Sequence, residues 1–85
     1  MVEQERLPRV FVDFNNSDQL GRVRLYCIGT VHDLSRLGIA LREGTELLLS
    51  CLELEAEGVA TYSKEEGGWV AKVDWDKVRD RPDNR

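Results

Sequence analysis

Leu52-Glu53-Leu54-Glu55-Ala56-Glu57 alternates apolar and acidic residues without a break. A period of two is the mark of an extended chain, whose side chains point to opposite faces in turn. Leu52, Leu54 and Ala56 therefore read as one face, packed on a core. Glu53, Glu55 and Glu57 read as the other, which must meet water because three unpaired carboxylates are too costly to bury. Gly58 ends the alternation and predicts a bulge or bend. Beyond it, Val59-Ala60-Thr61-Tyr62-Ser63 continues as strand.

Toward the C-terminus, Lys64-Glu65-Glu66-Gly67-Gly68 is a polar run of five suited to a hairpin connection. The chain then returns as Trp69-Val70-Ala71-Lys72-Val73-Asp74-Trp75. Trp69, Ala71, Val73 and Trp75 share one face, and two tryptophans there are expected to anchor the core. Asp76-Lys77-Val78-Arg79 predicts a closing helical turn, and Asp80 to Arg85 a frayed, charged tail.

Toward the N-terminus, Arg42-Glu43-Gly44-Thr45 reads as a turn before the apolar strand Glu46-Leu47-Leu48-Leu49-Ser50-Cys51. Val31 to Gly38 is the one stretch with helical spacing, through Val31, Leu34 and Leu37. Asp33 is its expected N-cap and Gly38 its left-handed C′ residue. Arg22 to Thr30 predicts a strand with Val23, Leu25 and Cys27 on its apolar face. Before it, Arg9-Val10-Phe11-Val12-Asp13-Phe14 predicts another, with Val10, Val12 and Phe14 inward, and Asn15-Asn16-Ser17-Asp18 a turn. Residues 1–8 read as a polar arm and 9–79 as a single domain.

Short strands, glycine-bearing turns and a scrap of helix give an all-β class. The expected architecture is a small barrel or strongly bent antiparallel sheet, with one short helical turn near Asp33 to Leu37. Closure removes edges that so thin a sheet could not protect. At 85 residues, 41% hydrophobic and 33% charged, there is room for one domain with a narrow stability margin.

Charge narrows the function classes. Twelve Lys and Arg against sixteen Asp and Glu leave a net charge of −4, which argues against a general nucleic-acid or anionic-membrane surface. No apolar run approaches a membrane span, and the start lacks the basic and apolar regions of a secretory signal, so a cytoplasmic location is expected. Cys27 and Cys51 lack CxxC spacing and read as reduced, buried thiols. The single histidine, His32, stands beside Asp33 and near Ser35. Neighbours in one short turn do not easily present three groups to one reacting atom, so no catalytic residue is assigned. No metal or cofactor is expected.

Asp33-Leu34-Ser35-Arg36-Leu37-Gly38 fits Asp/Asn-x-Ser-x-x-Gly, and here the chain resembles PilZ domains, six-stranded β-barrels that bind cyclic di-GMP. That resemblance implies that Asp33 and Ser35 contact a base and Gly38 shapes the turn. PilZ domains also carry Arg-x-x-x-Arg near the N-terminus. This chain offers Arg6-Leu7-Pro8-Arg9, with the shorter spacing of three, or Arg22 and Arg24 inside a strand. Arg36, or Arg6 and Arg9 from the arm, are the arginines that could grip phosphates beside the motif.

A longer stretch, about residues 22–76, is similar to a group of short uncharacterised bacterial proteins. It rests on Gly29-Thr30-x-x-Asp33-Leu34-x-x-x-Gly38-Ile39-x-Leu41-x-Glu43-Gly44. It continues in Glu57-Gly58-Val59-x-x-Tyr62-Ser63-x-Glu65-Glu66-x-x-Trp69-Val70-Ala71-x-Val73-Asp74-Trp75. Members often carry Ala where this chain has Ser35, and an acidic insertion around Ser50 to Leu54. This resemblance implies a compact bacterial β-module and names no activity. The leading expectation is a non-enzymatic module that binds a protein through an exposed apolar or aromatic patch (Phe11, Tyr26, Tyr62 or whichever tryptophan is exposed), as a monomer or weak homodimer. The alternative is a divergent cyclic di-GMP domain.

Overall fold

Leu47 and Leu49 lie fully buried at the centre of the molecule, and the strands assemble around them. In the computed structural model, which describes residues 7–81, the elements in chain order are β1 (Arg9–Phe11), β2 (Val23–Arg24), α1 (Ile28–Leu37), β3 (Glu46–Ser50), β4 (Leu54–Ser63), β5 (Gly68–Val73), a 3-10 turn (Trp75–Lys77) and β6 (Arg79–Asp80). The chain is mainly β, with one helix. Its single sheet runs β1-β3-β4-β5-β2, with β6 also on β4, and curls into a half-barrel. The curl wraps a core of Val10, Val12, Phe14, Val23, Leu25, Leu34, Leu47, Leu49, Ala56, Ala60 and Ala71.

Period-two patterning sets the faces. Val10 and Val12 are fully buried while Arg9, Phe11 and Asp13 are exposed, and Val23 and Leu25 likewise point inward. In the β3–β4 hairpin, Leu49 stands opposite Ala56 and Leu47 opposite Gly58, so bulky leucines face small residues across the ladder. Each fully buried Leu or Val contributes on the order of 1.5–3 kcal/mol, which so small a core needs.

Several expectations are corrected. β1 pairs with β3 in parallel, so the sheet is mixed and not purely antiparallel. Its pairing reaches Pro8, whose carbonyl accepts from the Leu48 N–H at 2.9 Å, while residues 1–6 lie outside the described residues. The strand expected over Arg22 to Thr30 ends at Arg24, and Ile28-Gly29-Thr30 opens a ten-residue helix. Residue 27, not residue 33, occupies its N-cap position, with no side-chain cap bond. Gly29 explains why the helix fits there: a Cβ would sit 2.6 Å from the Phe11 ring.

Gly58 carries no bulge, since its pairings with Leu47 and Val73 continue unbroken registers on both sides. What it permits is close approach, because a Cβ would come within 2.6 Å of Leu49 Cδ1. Trp69 packs partly buried against the core, edge-on to Tyr62. Trp75 is not a core residue. It is 43% exposed, packs edge-on to Phe14, and donates its Nε1–H to the Gly21 carbonyl at 2.7 Å. Three steps along β4, from Gly58 to Glu55, match six along the returning chain, from Val73 to Arg79. The 3-10 turn holding Trp75 takes up the surplus.

Asp80 is not in a frayed tail but in β6, opposite Leu54. Residues 82–85 lie outside the described residues. The two cysteines are free thiols, half-buried and not buried as expected, and neither sits in a strand. Cys27 precedes α1, with its sulfur 3.0 Å from Thr30 Oγ1, and Cys51 opens the β3–β4 turn.

Candidate functional site

The outer edge of β1 is where helix and sheet meet. Phe11 is the last residue of that edge strand, and α1 lies against it. Its N–H donates to Asp33 Oδ2 at 2.8 Å, and its carbonyl accepts from Thr30 Oγ1 at 2.6 Å. Two helix side chains thus supply the partners a missing strand would have given. The second Asp33 oxygen accepts from Arg36 Nη2 at 3.2 Å. The Phe11 N–H holds the Asp33 carboxyl below its ordinary value; partial burial opposes this and Arg36 adds to it.

Beside this junction the β3–β4 connection folds tightly. The Cys51 N–H donates to the Leu54 carbonyl and the Leu54 N–H to Cys51 Sγ, leaving Leu52 at the tip with 81% of its surface exposed. Leu52 is therefore not on the packed face that alternation predicts. The chain beyond β6 crosses the tip: the Arg81 N–H donates to the Glu53 carbonyl at 2.9 Å and Arg81 Nη1 to the Cys51 carbonyl at 3.0 Å.

Glu55 is the acidic residue the pattern misplaces. It is buried, because Arg9 of β1 and Arg79 of β6 close over it. Arg79 donates through Nε and Nη2 to Oε2 at 3.2 and 3.0 Å. Oε1 accepts no hydrogen bond among the described residues and faces Arg9 Nη2 at 3.5 Å.

Together these elements frame a shallow pocket of about 160 Å³. Arg9, Arg36 and Arg81 stand around it with Asp33, Phe11 and Leu52, above Ser50 and Cys51. Of the residues singled out from the sequence, Asp33, Arg9, Arg36 and Phe11 meet here. Ser35 is exposed on α1 outside the pocket lining. Gly38 does adopt the left-handed conformation (φ 70°), and the Gly38 and Ile39 N–H groups close a Schellman motif on Ser35 and Leu34. It ends the helix and is not part of the pocket. Arg6 lies outside the described residues. His32 is exposed on α1.

Sequence reasoning missed Arg81 and Cys51 as pocket residues and Leu52 as an exposed one. Nothing local in the sequence marks Arg81, whose position depends on the 3-10 turn and β6.

Other polar clusters are built to support the fold. Asp18 accepts from the Leu20 and Arg22 N–H groups and from Arg22 Nε at 2.8–2.9 Å. Burial pushes its carboxyl up, but those bonds outweigh it and the net shift is downward. Arg24 grips Glu66 with two nitrogens, and Tyr26 donates to the same carboxylate at 2.7 Å. Glu43 accepts from Thr61 Oγ1 and from the Tyr62 N–H, extending the β4 edge beyond β3.

Among the described residues no group of three or more His, Cys, Asp and Glu is placed to hold a metal ion, and no helix is long and apolar enough to cross a membrane. Comparison with known proteins finds no match to any family model, any curated protein or any solved structure.

Proposed function

We propose that this chain is a non-enzymatic protein-binding module whose contact surface is the face formed by Phe11, Leu52 and the surrounding arginines. The observation that carries this reading is Leu52, a large apolar side chain held 81% exposed at a tight hairpin tip. It stands at one pocket with Phe11, itself 40% exposed, and with three guanidinium groups. Apolar anchors ringed by arginine are the composition favoured at interface centres. A photo-reactive residue at position 52 should cross-link a discrete protein in bacterial cells, and one at Leu20, 76% exposed on the Asp18–Arg22 loop, should not. Equal, diffuse labelling from both positions overturns the reading.

A second reading, a cyclic di-GMP site, is favoured by the meeting of Arg9, Arg36 and Asp33 at one pocket. The pocket's volume counts against it, since small-molecule sites usually span about 300–1,000 Å³. An amide ¹H–¹⁵N titration tests it: saturable shifts at Arg9, Asp33 and Ser35 support the nucleotide, and an unmoved spectrum at millimolar ligand removes it.

A further inference from the structure

The pocket's charge is opposite to that of the molecule carrying it. The whole chain has a net charge of −4, yet three arginines and one carboxylate line this pocket. That carboxylate is already engaged, one oxygen by the Phe11 N–H and the other by Arg36. The guanidinium groups are held in place by the fold: Arg9 by Glu55, Arg36 by Asp33, and Arg81 by the Cys51 carbonyl. Positioning of this kind lowers the ordering cost when an anion arrives.

Size and lining narrow the anion further. About 160 Å³ is room for one side chain and not for a folded ligand. The walls are unequal, with arginine on the rim and the apolar surfaces of Phe11 and Leu52 alongside. A phosphodiester backbone would need a positive stripe, which an acidic body does not offer. An acidic side chain next to an apolar one matches both parts, the carboxylate meeting planar guanidinium forks and its neighbour covering Phe11 and Leu52.

Resting on the protein-binding reading above, we infer that the partner docks through a short acidic segment, inserting one Asp or Glu side chain among Arg9, Arg36 and Arg81 and laying an adjacent apolar residue on Phe11 and Leu52. Charge complementarity of this kind steers the encounter and fixes orientation, so binding should weaken with salt.

The test uses the ¹⁵N-labelled full chain and three probes: a blocked peptide Glu-Asp-Phe-Asp-Glu, its counterpart Lys-Lys-Phe-Lys-Lys, and inorganic phosphate. The acidic peptide should give saturable shifts at Phe11, Arg36, Leu52 and Arg81, and the lysine peptide none. Its apparent affinity should fall about tenfold between about 50 and about 300 mM salt. Arg36→Gln and Leu52→Ser, both at exposed positions, should each weaken it about three- to tenfold, with melting temperature confirming that they fold. Equal shifts from both peptides, no shift from the acidic one, or saturation by phosphate at the same concentration as the acidic peptide would each overturn the inference. If the acidic peptide fails while cross-linking from position 52 still yields a discrete protein, only the acidic docking segment is lost. If cross-linking fails as well, the binding module falls with it.

Discussion

Asp33 receives hydrogen bonds from two elements, a strand N–H on one oxygen and a helix guanidinium on the other. Removing it loses a hydrogen bond on an exposed edge, where water can replace it in part, at a cost of about 0.5–1.5 kcal/mol. For a domain of this size each kcal/mol is about 4–8 °C in melting temperature. Asp33→Ala should therefore melt several degrees lower, whereas Asp33→Asn, which keeps an acceptor, should lose less. The Phe11 amide supplies a local reading. It should exchange slowly in the native chain although it lies on an edge strand, and quickly in Asp33→Ala.

The same carboxylate bears on acid stability. Asp33, Asp18, Glu43 and Glu66 all sit below their ordinary values in the fold. A depressed folded-state value means that the unfolded chain binds more protons, so the stabilisation is present above the unfolded carboxylate range and is lost as pH falls through the folded values. Urea midpoints should be level above about pH 5.5 and decline below about pH 4.5. The decline should be shallower in Asp33→Asn. A midpoint that rises on acidification would contradict the carboxylate network.

At the scale of elements, α1 is held at its C-terminal end by backbone geometry and along its side by Thr30 and Asp33. Gly38 has a φ of 70°, and a Cβ there would meet nothing within 4 Å. The cost of a side chain is thus conformational, about 1–2 kcal/mol. Gly38→Val should lower the melting temperature clearly, and His32→Ala, on the exposed face, by less than about 0.5 kcal/mol equivalent. Equal melting temperatures would contradict the left-handed cap. This end of the helix was legible in the sequence because Gly38 and the Leu34–Ile39 contact are local. Its start was not, because Ile28 and Thr30 are β-branched and read as the end of the strand from Arg22. Helix wins there through contacts distant in sequence: Gly29 accepts the Phe11 ring, and Thr30, fully buried, bonds the Phe11 carbonyl. Alternation likewise exposed the core faces of the first two strands, Val10 with Val12 and Val23 with Leu25. It misplaced Glu55, which two distant arginines bury, and Leu52, since a hairpin tip is set by the Cys51–Leu54 turn and not by periodicity. Of the pocket, other signals in the sequence singled out only Arg9, Phe11, Asp33 and Arg36.

Across the whole molecule, Glu55 joins chain segments that lie far apart in sequence. Arg9 belongs to the first strand and Arg79 to the last, and their guanidinium groups close over one carboxylate in the middle of the chain. Such a charge is tolerable inside a small core only while it is paired, since an uncompensated buried ion costs more than the pair contributes. Arg79 provides the two short contacts, at 3.0 and 3.2 Å, and Arg9 a longer one at 3.5 Å. Arg79→Met should therefore destabilise the domain by about 2–3 kcal/mol, less than for a fully buried pair because the arginine is half-exposed. Adding Glu55→Met removes the stranded charge and places an apolar side chain where burial favours one. The double variant should recover most of the loss in urea unfolding, with the two substitutions strongly non-additive. If the losses simply add, Glu55 is held by water or packing instead of by the arginines. The first and last strands would then be joined through β3 and β4 by backbone hydrogen bonding alone.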